Sequence, residues 1–300
     1  MIETTITLCV INSFIIILYA KKIAYFLKII DIPNEKHKNH KDPIPAIGGL
    51  VFLINLFFVV TFLLVQKSNI SFNLVFLILI IIFFFVGILD DRYKLSVNCR
   101  IFILLAALFL LLPLSNYTII NKLYFKDIDY VINLKNASLF FSVFSIFFFY
   151  NAVNFSDGSN CVCLSLSIFW SIILINKIGY NEILIVLLIT SFILLFFNFR
   201  NKIFLGNSGS NIISIIFGIL FIKFYNLELI KADEITLLIL LPCIDALKVV
   251  MLRIYNGKSP FHPDNSHIHH LIDSKFNKKY TFLIYITLAI IPYLTNFIFP

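Results

Sequence analysis

Charged residues are scarce in this sequence: 13% of its 300 residues are Asp, Glu, Lys or Arg, whereas 60% are hydrophobic. A chain with a mean hydropathy of +0.96 has too little polar sequence to surround a folded core in water. These values exclude a water-soluble domain. Cysteine is also scarce, and the five cysteines lack the paired spacing of a zinc site or a disulfide framework. We interpret them as small apolar residues.

Apolar stretches of membrane-spanning length are abundant. A membrane helix needs about 20 mainly apolar residues, and the chain offers ten such stretches, separated by short polar connections. The sequence therefore predicts an all-α polytopic membrane protein that forms one integral domain, residues 1–300, because no connection is long enough to bury a core of its own. The predicted spans lie near 2–20, 48–66, 72–89, 98–114, 138–156, 161–176, 182–199, 212–225, 235–252 and 281–299.

Lys and Arg are concentrated in alternate connections. Residues 21–47, 90–100, 151–160, 200–211 and 253–280 together contain 16 of the 24 basic residues. Because basic residues favour the cytoplasmic side, these connections are predicted to be cytoplasmic and both termini to face outward. All six histidines lie in the first and last of these connections. Their confinement to one side predicts a shared aqueous site at the cytoplasmic face of the membrane.

The first cytoplasmic connection combines basic residues with prolines. It contains His40 and leads into Gly48 and Gly49, which permit close backbone approach at the start of the next span. A basic, turn-rich loop before a glycine-started helix is suited to an anion such as a diphosphate. The alternative is a charged loop that only fixes topology.

The second connection begins with two adjacent carboxylates, Asp90 and Asp91, at the end of an apolar helix. Like charges repel, and the carbonyl end of a helix is already negative, so we expect a cation beside them. A divalent metal or Lys94 would supply it. The alternative is a solvated helix end paired to Arg92 and Lys94.

The third connection carries polar residues three apart. In a helix, Asn151, Asn154 and Asp157 would lie along one stripe, and Gly158 is placed to end that helix. Three aligned oxygen-bearing side chains at membrane depth suit a hard cation or the polar groups of a ligand. An ordinary helix cap would need only one of them.

The fourth connection, residues 200–211, includes Lys202 and Asn207 and is rich in Gly, Ser and Asn. Such a turn before a span can cradle a phosphate, although glycine-rich turns also serve as linkers. In the ninth predicted span, residues 235–252, Asp245 is an acid at membrane depth, with Lys248 three residues later as a candidate partner.

The last cytoplasmic connection concentrates hydrogen-bonding side chains. Arg253 precedes a proline-containing turn, and His267, His269 and His270 follow within four residues of one another. No further His or Cys is spaced to complete a four-ligand zinc site, so hydrogen bonding to phosphate or nucleotide fits better. On the outward side, residues 122–130 alternate and predict a short extended hairpin.

The order of these motifs resembles that of the polyprenyl-phosphate N-acetylhexosamine-1-phosphate transferases of glycosyltransferase family 4. The likeness runs from about residue 31 to 271, and the last segment is closest to the O-antigen and teichoic-acid branch. The motifs that carry it are Pro-x-Pro-x-x-Gly-Gly at 43–49, Asp90-Asp91, Asn-x-x-Asn-x-x-Asp-Gly at 151–158, Phe-Leu-Gly-x-x-Gly-Ser at 204–210, and Ser-Pro-Phe-x-Pro-Asp-x-x-His-Ile-His-His at 259–270.

The resemblance implies transfer of a sugar 1-phosphate from a UDP-N-acetylhexosamine to undecaprenyl phosphate, with release of UMP, at the bacterial cytoplasmic membrane. It implies Mg²⁺ as cofactor, with Mn²⁺ as an alternative, and the bilayer and the two substrates as partners, without nucleic acid; a homodimer is compatible with it. The implied catalytic residues are Asp90, Asp91 and Asp157. Asn154 and Asn207 would serve the metal, and the implied substrate-binding residues are His40, Gly48, Gly49, Asn151, Lys202, Arg253, His267, His269 and His270.

Two positions depart from the family pattern. Asn207 stands where the family has an aspartate that binds magnesium, and Asn160 stands where many members have another aspartate. An amide oxygen can bind Mg²⁺ but brings no charge. One alternative is therefore a weakened or inactive relative that binds lipid phosphate or an assembly partner. A transporter is a second alternative, but it predicts polar residues near the bilayer midplane rather than at one face.

Overall fold

A computed structural model of the chain describes residues 2–33, 42–125, 130–260 and 266–298. The described residues are mostly helical, with two antiparallel pairs of very short strands, β1 with β2 and β3 with β4. The helices are α1 Ile2–Leu18, α2 Ala20–Leu27, α3 Gly48–Val65, α4 Ile70–Tyr93, α5 Val97–Leu111, α6 Ser138–Ser156, α7 Val162–Ile178, α8 Glu182–Phe199, α9 Gly206–Asn226, α10 Ala232–Tyr255, α11 Ile268–Lys275 and α12 Thr281–Ile298. The strands are β1 Ile30–Asp31, β2 Ile44–Pro45, β3 Lys122–Leu123 and β4 Ile132–Asn133.

Each of the ten predicted spans corresponds to a helix, and the all-α polytopic class is confirmed. Among the described residues, seven helical segments are long and apolar enough to cross a membrane: α3, α4, α5 with the turn that follows it, α6 with the turn before it, α8, α9 and α10. The count rises to eight if α1 and α2, which meet at a bend of 69°, form one broken span. The count of ten spans and the outward termini stay predictions.

Helix α9 lies at the centre of the fold, where its whole span is buried among neighbouring helices, chiefly α3, α4 and α6. Small residues allow this packing. A Cβ added at Gly87 of α4 would lie 2.4 Å from the Cα of Ser208, and one added at Gly49 of α3 would lie 2.7 Å from the backbone nitrogen of Gly209. Glycines at these points therefore let the three backbones touch, as is typical of helix interfaces in membranes.

Polar side chains inside the bundle are used to join helices. The amide nitrogen of Asn55 in α3 donates to Ser13 of α1 over 2.8 Å and to Thr190 of α8 over 3.0 Å. The indole N–H of Trp170 in α7 donates to the backbone carbonyl of Leu238 in α10 over 3.0 Å. Inside a membrane the hydrocarbon offers no hydrogen-bond partner, so these bonds between helices satisfy polar groups that water would satisfy in a soluble protein.

The described parts of the five connections predicted to be cytoplasmic meet at one end of the bundle. The backbone N–H of Gly48 donates to Phe204 over 3.1 Å, and the N–H of Phe204 donates to Pro45 over 2.9 Å. Asn160 and Asn201, from the third and fourth connections, share a side-chain hydrogen bond of 2.5 Å. At the opposite end, β3 pairs with β4. The predicted run, residues 122–130, contains the first of these strands, whereas the second lies just after it at Ile132–Asn133.

The fourth connection is shorter than predicted. Residues 206–211 had been assigned to a loop before a span starting at 212, but helix α9 already begins at Gly206. Gly206 has a positive φ of 72°, and the residues after it are buried against α3 and α4. Tertiary packing therefore makes helical a segment whose Gly, Ser and Asn residues favour a turn. Where a glycine-rich turn was predicted, the structure therefore has the N-terminus of α9.

Candidate functional site

A cavity of about 1010 Å³ opens where these connections meet. It is formed by β1, the residue after β2, the ends of α4, α6 and α8, the start of α9, and α11 with the segment that follows it. Its lining residues include 29–31, Ala46, Asp91, 157–161, 198–201, 204–207, Asp273, Lys278 and Lys279. Three of the predicted site residues, Asp91, Asp157 and Asn207, therefore line one cavity.

Asp91 lies in the last turn of α4 and is one of the residues that line this cavity. Its Oδ1 accepts a hydrogen bond of 3.2 Å from the backbone N–H of Asn207. Its Oδ2 is buried and has no hydrogen-bond partner among the described residues. A buried carboxylate oxygen without a partner is costly, so a ligand or cation that meets this atom would gain binding free energy.

Asp90 is oriented differently, so the structure divides the carboxylate pair. Its Oδ2 forms a 2.7 Å ion pair with Arg100 of α5 and accepts a 3.2 Å hydrogen bond from the side-chain amide of Asn207. Asp90 does not line the cavity. The cation expected beside the acids is thus Arg100 for Asp90, whereas the sequence had suggested a metal or Lys94.

Asp157 caps the C-terminal end of α6, where its backbone N–H donates to Asn154 over 3.2 Å. Burial raises the pKa of the Asp157 carboxyl well above its usual range, a hydrogen bond from Ser210 opposes this shift, and the nearby charge of Asp91 adds to it. The amide nitrogen of Asn154 also contacts Ser210, over 3.3 Å. The ends of α4 and α6 and the start of α9 thus bring together two acids, Asp91 and Asp157, and two amides, Asn154 and Asn207.

The histidine segment, residues 266–270, packs beside this acidic group. His267 Nδ1 lies 3.0 Å from Asp245 Oδ2 of α10, and its ring stacks on that of His269 with 5.4 Å between centroids. His269 in turn contacts Gly158: a Cβ added there would lie 2.2 Å from His269 Nε2. Asp245, for which Lys248 was the candidate partner, therefore pairs with the histidine segment, and Lys248 donates to the Ser266 carbonyl over 3.2 Å.

His269 is the most enclosed of the three histidines. It is 1% exposed, and both ring nitrogens lack a hydrogen-bond partner among the described residues. Its pKa is lowered to about 3, chiefly by burial and also by the neighbouring His270 and His267, while Asp245 opposes the shift. Burial likewise lowers the pKa of His270. Both rings are therefore neutral near pH 7.

The other predicted binding residues are spread over several positions. Arg253 is buried, donates to the Pro260 carbonyl over 2.6 Å, and lies 3.4 Å from His267 Nε2. Asn151 donates to the Phe147 carbonyl of its own helix, and Lys202 is exposed outside the cavity lining.

Gly48 and Gly49 bond through their backbone N–H groups to Phe204 and Leu205, so these groups are used in packing α3 against the start of α9. His40 lies outside the described residues. Substrate binding by this dispersed set of residues stays a prediction.

Magnesium fits the donor chemistry of the cavity. Among the described residues no group of three His, Cys, Asp or Glu side chains is arranged to hold a metal ion. Mg²⁺, however, is commonly bound by one or two carboxylates together with substrate phosphates and water. Asp91, with its unpartnered Oδ2, and Asp157 would provide the carboxylates. The amide oxygen of Asn207 is a neutral donor in the same cavity, since its amide nitrogen is used by Asp90. Asn154 lies outside the cavity lining, with its amide nitrogen on Ser210.

Comparison with known proteins identifies the family of this chain. Residues 73–225 match Glycosyl transferase family 4, which is more than half of the chain. The undecaprenyl-phosphate alpha-N-acetylglucosaminyl 1-phosphate transferase of Escherichia coli (strain K12) is 27% identical over 292 residues, covering 90% of this chain and 76% of the relative.

Transferases of the same description from two other bacteria give similar values. That of Yersinia pestis is 28% identical over 291 residues, with 90% of this chain and 76% of the relative covered. That of Haemophilus influenzae is 28% identical over 289 residues, with 87% and 76% covered. The resemblance predicted from the five motifs is confirmed. The chain belongs to glycosyl transferase family 4 and is a multi-pass membrane enzyme of the phosphotransferase class.

Proposed function

We propose that this protein transfers an N-acetylhexosamine 1-phosphate from a UDP-sugar to undecaprenyl phosphate and releases UMP. The observation that supports this most directly is the placement of Asp91 and Asp157 in one cavity at the ends of membrane helices, with Asp91 Oδ2 unpartnered. A cavity at that depth is accessible to a lipid phosphate from the bilayer and to a nucleotide from water. The names of the relatives point to the same acceptor.

The reaction needs a phosphate oxygen of the lipid to attack the β-phosphorus of the UDP-sugar. The new P–O bond joins lipid phosphate to sugar phosphate, and the bond between the β-phosphorus and the oxygen of UMP breaks. Asp91 is suited to orient the lipid phosphate and accept its proton, since its Oδ2 has no hydrogen-bond partner in the part of the chain that the structure describes. Asp90, held by Arg100, keeps Asn207 and through it the start of α9 in place.

We propose Mg²⁺ as the cofactor. When bound, it neutralises the diphosphate and the charge that develops on the leaving UMP. Asp91 and Asp157 would hold it, with amide oxygens of Asn154 or Asn207 as neutral ligands. The raised pKa of Asp157 means that a bound cation and a proton compete for its carboxylate.

The histidine segment is proposed to complete the nucleotide side of the site. His270 is half-buried, and His269 lies against Gly158, which lines the cavity. Neutral imidazoles offer one donor and one acceptor each, which suits hydrogen bonding to phosphate or uracil. Following the concentration of Lys and Arg on this side, we propose that the site faces the cytoplasm.

The test is a transfer assay with purified protein, undecaprenyl phosphate and a panel of UDP-N-acetylglucosamine, UDP-N-acetylgalactosamine and UDP-glucose, each with and without Mg²⁺. We expect UMP release and a lipid diphosphate sugar with one or both N-acetylhexosamines, only when metal and lipid phosphate are present. UMP release without the lipid acceptor, or no lipid product with any donor, would contradict the proposal. A chain that binds undecaprenyl phosphate without any turnover would instead match the inactive alternative suggested by Asn207.

A further inference from the structure

Asp245 is a carboxylate buried inside a membrane helix. It lies within α10, is 1% exposed, and does not line the cavity. A charged side chain at such a position costs several kcal/mol unless other groups compensate it. Its partners should therefore show what it is for.

Both carboxylate oxygens of Asp245 contact residues at the start of α11. Oδ2 lies 3.0 Å from His267 Nδ1, and Oδ1 accepts a 2.9 Å hydrogen bond from the backbone N–H of Ile268. His267 is the last residue before α11, with an extended backbone at φ −66° and ψ 152°. One carboxylate thus fixes the side chain of His267 and the first backbone donor of the helix after it.

The same contact determines which ring nitrogen of His267 carries the proton. An ionised carboxylate only accepts hydrogen bonds, so Nδ1 must be the protonated nitrogen. Nε2 lies 3.4 Å from an Arg253 guanidinium nitrogen, which only donates, so in the neutral ring Nε2 is the acceptor. Asp245 and Arg253 together define the tautomer and orientation of the ring.

This fixed ring is connected by contacts to the cavity. His267 stacks on His269 with an interplanar angle of 9°, and His269 packs against Gly158, the residue after Asp157. Farther along α11, Asp273 lines the cavity and accepts a 3.1 Å hydrogen bond from Ser159. The start of α11 thus packs against the part of the cavity lining that contains Asp157 and Gly158.

We infer that Asp245 is a positioning residue for the transfer reaction, which holds His267 in one tautomer and thereby fixes the histidine segment against Asp157 and Gly158. This inference rests on the proposed function. Asp245 acts through His267 and contacts no reacting atom.

The primary test is Asp245→Asn in the full-length protein. The amide keeps the size of the side chain and can still accept from Ile268, but it presents an NH₂ group to His267 Nδ1. The ring must then carry its proton on Nε2, facing a guanidinium donor. We expect kcat/KM for the UDP-sugar to fall about 10- to 100-fold, the range found when a group that orients a histidine is removed. The melting temperature in detergent should stay within a few degrees of wild type.

A double-mutant cycle with His267→Ala tests whether Asp245 acts through His267. In the His267→Ala background, Asp245→Asn should cost less than about threefold, because the group that it orients is already gone. Costs that multiply in the double variant, or a fully active Asp245→Asn, would overturn the inference. Thr236→Val serves as the matched control, since it removes a hydrogen bond to Ala232 from the far end of the same helix and should leave activity unchanged.

A second pair of variants keeps the test decisive if Asp245→Asn does not fold. His267→Asn retains a donor close to the position of Nδ1, whereas His267→Ala does not. The inference predicts at least about tenfold more activity for His267→Asn, and equal activities would contradict it. If wild-type protein transfers no sugar phosphate, the proposed function fails and this inference fails with it. If wild type is active and Asp245→Asn matches it, only the inference fails.

Discussion

The site has two halves, and each contains a buried aspartate whose carboxylate is used differently. In the cavity half, formed by Asp91, Asp157 and Asn207, one oxygen of Asp91 is left without a partner. In the histidine half, formed by Asp245, His267 and His269, both oxygens of Asp245 are paired. A buried carboxylate oxygen without a partner is stabilised by a ligand or cation that reaches it, whereas a fully paired carboxylate inside a helix bundle defines geometry. We therefore assign a role in the reaction to Asp91 and a positioning role to Asp245.

The largest expected effect comes from removing the unpartnered acid. Asp91→Asn should lower the transfer rate about 10²- to 10⁴-fold, the range for loss of a general base, measured by UMP release under saturating substrates. Asp90→Asn is the matched comparison, because its carboxylate is already paired with Arg100. It should cost clearly less. Equal losses for both variants would contradict the division of the pair.

The contact between the halves can be broken at Gly158. A Cβ in Gly158→Ala would overlap the buried ring of His269, so the histidine segment must move away from Asp157. A displacement of about 1 Å can cost about 10²-fold in rate, and we expect a loss of that order in the transfer assay. Gly218→Ala is the control, since its Cβ would meet Ile146 at an ordinary 3.5 Å. Wild-type activity in Gly158→Ala would show that the two halves work independently.

The proposed metal site in the cavity half can be tested by adding a negative charge at Asn207. Asn207→Asp replaces the amide that donates to Asp90 Oδ2 by a second carboxylate, and a cation would offset the resulting repulsion. We expect the Mg²⁺ concentration for half-maximal activity to fall about tenfold, because an added charged ligand raises metal affinity. The melting temperature without Mg²⁺ should also fall. Asn98→Asp on the exposed face of α5 adds the same charge outside the site and should change neither value.

The smallest expected effect concerns the pH dependence of stability in the histidine half. The pKa of His269 falls from 6.5 to about 3 in the fold. The unfolded chain therefore binds a proton that the folded chain does not, and stability declines as pH falls below 6.5. The contribution is about 1.4 kcal/mol per pH unit at most. Unfolding in detergent from pH 7 to 5 should show a shallower decline for His269→Asn, and equal slopes would contradict this.

Much of the site could be predicted from the sequence because membrane topology simplifies the problem. Segments that follow alternate spans must emerge on the same side, so Asp91, Asp157 and His267 were expected at one face. The stripe of Asn154 and Asp157 at the end of α6 followed from helical spacing, and α6 does end at Ser156. Alternation over residues 122–130 predicted an extended hairpin there, and β3 does pair with a strand that lies just after this run.

The partners of the acids could not be predicted, because they lie across helix interfaces. Arg100 is ten residues after Asp90, a spacing that does not align within one helix but does across the turn between α4 and α5. The pairing of Asp245 with His267 spans 22 residues and depends on how α10 and α11 meet. A basic residue early in α5 was the only feature of the sequence that pointed to the first pair.

The enclosure of α9 bears on how the protein is inserted into the membrane. Its mean hydropathy is 1.5, against 3.1 for α4, and its span is wholly buried. A helix of this kind gains less from lipid contact than its neighbours do, so its stability depends on α3 and α4 being in place to receive it. Asn207 and Ser210 lie in the first turns of α9. An intermediate in which α9 has not docked would therefore be inserted in the membrane but would lack part of the site and be inactive. Activity should therefore appear only at a late stage of biogenesis.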